Sequence, residues 1–98
     1  MAAITMTPNP PTTSVVTGLT TSLQQVNLPP GTKSIALYPS SSGAHLQFTG
    51  TDGGSPDAAL AVHVPATTWT RFYVVPSSSR AIYVASSSGT INLHIVAE

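Results

Sequence analysis

The chain has 98 residues, 6% of them charged and 41% hydrophobic, with formal net charge zero and no cysteine. Soluble domains normally carry about 25% charged residues; here 13 serines and 14 threonines take their place. Without a basic excess there is no electrostatic footprint for nucleic acid or anionic membrane, and without cysteine there is neither a disulfide framework nor a thiolate metal site.

The length fits one domain, and surface scaling lets a chain of this size remove roughly 64% of its unfolded surface from water, enough for one modest core. Positive mean hydropathy and zero net charge oppose wholesale disorder. The start Met1-Ala2-Ala3-Ile4-Thr5 has neither the basic region nor the apolar run of a signal peptide, so none is expected. The longest apolar run, Ala58 to Val62, falls far short of the roughly 20 residues that span a bilayer.

In chain order, residues 1–22 contain Pro8, Pro10, Pro11 and Gly18 among hydroxyl residues and read as an extended N-terminal arm, because proline fixes φ and pushes its predecessor out of the helical region. Residues 23–98 read as a single all-β unit, a small antiparallel, jelly-roll-like β-sandwich. Strands are expected near 23–28, 33–38, 44–49, 59–64, 69–75, 80–85 and 90–96, separated by turns about every 8–12 residues. Pro29-Pro30-Gly31, Ser40-Ser41-Ser42-Gly43 and Ser86-Ser87-Ser88-Gly89 supply turn chemistry ending in a residue free to take positive φ. Gly50 to Asp57 reads as a long mobile loop. After it, Ser55-Pro56 also resembles a helix start, but β-branched residues and Pro65 favour a strand for Leu60 to Val64.

A weak internal repeat links the two serine turns. Lys33 to Leu37 leads through Ser40–Gly43 to His45 to Phe48, and Arg80 to Val84 leads through Ser86–Gly89 to Ile91 to Ile95. Both read as β-hairpins. Period-two alternation turns Ile35, Leu37, Leu46 and Phe48 from one, and Ile82, Val84, Ile91, Leu93 and Ile95 from the other, into a shared core.

Candidate chemistry is sparse. The only carboxylates are Asp52, Asp57 and Glu98; two share a loop, so a hydrolytic pair across a scissile bond is not expected. Asp52 and Asp57 read as turn formers, with a loop calcium site the less favoured alternative. His45, His63 and His94 fall on the outward phase of separate strands with no close pair such as H-x-H, and read as surface or interface residues rather than zinc ligands. No serine sits in a nucleophile elbow. No catalytic residue, metal or cofactor is expected. More informative is Trp69-Thr70-Arg71-Phe72-Tyr73-Val74-Val75, apolar on both faces, where Trp, Tyr and Arg are the residue types that anchor interfaces. Tyr38 and Tyr83 occupy matching outward positions in the two hairpins.

The run Leu28 to Tyr38, the glycine-rich Thr51-Asp52-Gly53-Gly54, Trp69 to Val75, and Arg80 to Ile95 together resemble the small β-sandwich proteins of tailed-bacteriophage virions, the capsid decoration (cement) proteins above all. The resemblance spans roughly residues 23 to 96. It implies a non-enzymatic virion structural protein, made in the host cytoplasm and seated as homotrimers on the outer surface of the head against the major capsid protein. It also implies a terminal arm that reaches a neighbouring subunit. On this expectation Trp69, Phe72 and Tyr73, with Tyr38 and Tyr83, pack subunits, and the arm with Pro8, Pro10 and Pro11 docks. Neither nucleic acid nor membrane is an expected partner. The alternative is a carbohydrate-binding or interaction module of a phage tail fibre or surface protein, with Tyr38, Tyr83 or Trp69 stacking on a sugar ring.

Overall fold

Short apolar alternations cut by proline and glycine give nine strands in a computed structural model that describes residues 3–7, 10–73 and 81–98. They are β1 (Ile4–Thr5), β2 (Thr12–Leu19), β3 (Gln24–Asn27), β4 (Ser34–Pro39), β5 (Ala44–Gln47), β6 (Val62–Val64), β7 (Thr70–Tyr73), β8 (Ala81–Ser86) and β9 (Ile91–Ala97). Two sheets form, in the orders β1-β3-β8-β5-β6 and β2-β9-β4-β7. Every described pairing is antiparallel except that of β1 with β3. From β2 onward the chain changes sheet at each connection save β5 to β6, which is the strand order of a jelly roll. The expected small antiparallel sandwich is therefore present. Val74, Val75, Arg80 and Pro8 lie outside the described residues.

The inward phase reads as expected for Ile35, Leu37, Leu46, Ile82, Val84, Ile91, Leu93 and Ile95, all of them buried. Phe48 does not join them and is 46% exposed. Strand β5 ends one residue earlier, at Gln47, which lies on the phase opposite Leu46, beside Tyr83, and is nonetheless buried. Its Nε2 donates to the Thr49 carbonyl at 3.0 Å and its Oε1 accepts from Asp57 N–H at 2.7 Å. A buried amide must find such partners, and these lie in the loop that follows.

The two expected hairpins are corrected. β4 and β5 lie in different sheets, as do β8 and β9, so each serine turn is an arch between sheets. A period of two says which side chains face the core; a hairpin and an arch satisfy it equally well. The arches interlock head to tail, since β4 pairs with β9 and β5 with β8. Their turns bond to one another: Ser42 Oγ donates to the Ser88 carbonyl at 2.8 Å, and Ser87 N–H to the Gly43 carbonyl at 2.9 Å. Gly31 and Gly89 take the positive φ their turns require, 84° and 67°.

The described residues of the 1–22 segment include the strands β1 and β2 and are folded into the sandwich rather than held apart from it as an arm. β2 pairs with β9 from Thr12↔Ala97 to Leu19↔Ile91, and Met6, Val16 and Leu19 belong to the core. Scattered apolar positions among prolines conceal this, because each contributes to the core singly. The 50–57 loop is likewise tied down. Gly53 N–H donates to the Leu23 carbonyl and Leu23 N–H to the Gly54 carbonyl, both at 2.7 Å, and Asp52 Oδ1 accepts from Gln25 N–H at 3.0 Å. Asp57 forms the turn that shortens the strand expected over 59–64: its carbonyl accepts from Leu60 and Ala61, and its carboxylate from Ala59.

Candidate functional site

With the inward phase spent on the core, the outward phase of the β2-β9-β4-β7 sheet is left to form a surface. Val15 lies opposite His94, and His94 opposite Tyr38. Trp69, one residue before β7, continues this row across the fourth strand. The Tyr38 ring lies 5.1 Å from Trp69, tilted by 44°, and 5.9 Å from His94, edge on at 73°. Such separations fall in the range where aromatic pairs attract. The backbone sets the tryptophan: Thr67, at φ 51°, donates its N–H to the Pro39 carbonyl at 2.8 Å and brings the approach to β7 across the end of β4. Val15 is 48% and Trp69 53% exposed.

A second row runs Thr13, Val96, Ala36, Arg71. Arg71 pairs with Glu98, and its Nη1 also donates to Ser34 Oγ at 2.9 Å. Glu98 is held for this contact by its own backbone, which exchanges hydrogen bonds with Ser34 at 3.1 and 2.9 Å. Between aromatic row and ion pair lies an open groove of about 330 Å³ lined by Ala36, Trp69, Arg71, Val96 and Glu98. Its floor is small and apolar, one wall is an indole, and one end carries a self-neutralised pair of charges. It can receive a flat apolar face whose edge bears hydrogen-bonding groups.

Of the residues singled out in the sequence, Trp69, Tyr38 and Tyr73 share this face, Tyr73 opposite Ser34 and 81% exposed. Phe72 does not; it points inward and packs against the core. Tyr83 stands on β8 in the other sheet, half-buried, its ring within 3.3 Å of where a Cβ on Gly50 would lie. It therefore supports the loop and is no part of the aromatic row. Pro10 is half-buried and Pro11 exposed in the connection between β1 and β2. Nothing in the sequence alone marks Val15, Val96 and Glu98 as part of this face, and for His94, read as a surface or interface residue, only the β9 register shows that it lies beside Tyr38.

His45 and His63 stand on the outward side of the other sheet, at the same register position of β5 and β6. Asp52 and Asp57 spend carboxylate oxygens on backbone N–H groups. Among the described residues no group of three or more His, Asp or Glu is placed to hold a metal ion. No protein-family model, curated protein or solved structure matches this chain.

Proposed function

We propose that this chain is a non-enzymatic structural protein of a bacteriophage virion, a decoration protein that binds the outer surface of the assembled head as a homotrimer. Its partners are the major capsid protein and further copies of itself. The observation that carries this reading is the β2-β9-β4-β7 face. It spans four strands, is centred on Trp69, Tyr38 and His94, and bears one pair of opposite charges that cancel. Aromatic anchors with few charges are the composition of a buried contact core. Jelly rolls serve viral capsids and lectins alike; since one fold hosts many functions, the weight rests on the face. A protein that binds only the assembled shell stabilises it by mass action, and a trimer adds avidity. Sedimentation of the purified chain, with cryo-EM of particles from its own genome, tests the proposal. Trimers in solution and matching density on the head support it; a stable monomer absent from the particle removes it.

A second reading, a carbohydrate-binding module, is favoured by the groove. Its volume lies at the small end of ligand sites, Trp69 offers a stacking wall, and Arg71, Glu98 and Ser34 offer polar groups at one end. On a glycan array this reading requires binding that Trp69→Ala and Tyr38→Ala abolish. Tyr83→Ala, on the opposite sheet, should leave it intact.

A further inference from the structure

We propose that His45 and His63 form a two-imidazole site for a borderline divalent transition ion, zinc or nickel, on the sheet opposite the contact face. The two side chains are cross-strand partners on β5 and β6, with ring centres 6.1 Å apart and planes at 65°. An ion about 2.0–2.1 Å from one nitrogen of each ring, bound at a tetrahedral angle, places the ring centres about 5.2 Å apart. The rings stand about 1 Å wider than that, a gap closed by small χ rotations of partly exposed side chains.

Gly43 supplies the second observation. A Cβ there would lie 2.5 Å from His63 Cε1 and 3.0 Å from His63 Nε2. The His63 ring is therefore laid over the backbone at Gly43, just ahead of β5 and two residues from His45, in room that only glycine leaves. Among the described residues neither imidazole makes a hydrogen bond, so their nitrogens are not committed elsewhere. Imidazole suits zinc and nickel, and water completes the coordination of a site with two protein ligands. The bound ion would fasten β6, a three-residue edge strand, to β5.

The test follows the melting temperature of the full chain in zinc and in nickel, with His45→Ala, His63→Ala and His94→Ala. An ion bound only to the folded chain stabilises it; at about tenfold excess over Kd the wild-type Tm rises by roughly 5–10 °C. Either of the first two substitutions is expected to abolish most of the shift, and His94→Ala, in the other sheet, to leave it unchanged. NMR of the unmutated chain gives a reading independent of variant folding: both imidazoles shift together and saturate at one ion per chain. Binding that survives in either single variant, a shift that depends on His94, or saturation at half an ion per chain overturns the proposal.

Discussion

A methyl group at Gly43 meets the His63 ring and also the Val64 carbonyl, at 2.8 Å. A ring can rotate away; a carbonyl in the β5–β6 ladder cannot without disturbing the pairing. Gly43→Ala is therefore expected to destabilise the fold by about 1–3 kcal/mol, the usual cost of overpacking, as read by a lower denaturation midpoint. The serine turn around it suggests a glycine chosen for positive φ, whereas the structure requires it for space. Gln47 carries a comparable burden, because its buried amide joins β5 to the 49–57 loop. Gln47→Leu leaves Asp57 N–H and the Thr49 carbonyl without that partner, and a loss of about 1–3 kcal/mol is expected. Faster amide exchange confined to residues 49–57 would show that the loop, rather than the core, gives way first. Trp69 is the converse case: half-exposed and outside the core, it contributes little to stability. Trp69→Ala should leave the melting temperature within about 4 °C of the parent, consistent with a change of 0.5 kcal/mol or less, while weakening whatever binds the face.

At the scale of elements, β2 separates a free arm from an integral strand. Removing residues 1–19 takes away Met6, Val16 and Leu19 and unpairs one edge of β9 along its length. Each buried side chain of this kind contributes about 1.5–3 kcal/mol, and three of them approach the whole stability of a small domain. The truncated chain is expected to be unfolded or aggregated at 25 °C by circular dichroism; a folded truncation product would show that the segment is dispensable. The serine arches belong to the same scale. Their composition marks a reversal of the chain clearly, and Gly89 takes the expected positive φ. What composition leaves open is whether the next strand returns beside the last one or crosses the core, and the pairing of β4 with β9 in one sheet and of β5 with β8 in the other resolves this.

For the whole molecule, only β5 and β6 pair as chain neighbours among the described strands, so almost every ladder closes a long loop before it returns any stabilisation. Folding in the millisecond-to-second range is expected, and stopped-flow refolding checks it. Stability should also respond weakly to salt: with 6% charged residues and, among the described residues, one exposed ion pair, a type worth about 0–1 kcal/mol before screening, Tm is expected to move by less than about 2 °C between low and high salt. By itself the sequence determined the all-β class, most strand positions, the buried set from Ile35 to Ile95 apart from Phe48, and the poverty of charge, because alternation and turn chemistry act between residues close in the chain. Tertiary structure alone decided the sheet to which each strand belongs, the incorporation of residues 12–19, and the meeting of Tyr38, Trp69, His94, Arg71 and Glu98 on one face. Those facts depend on register between strands far apart in the chain, and a local pattern of period two is the same whichever distant strand lies beside it.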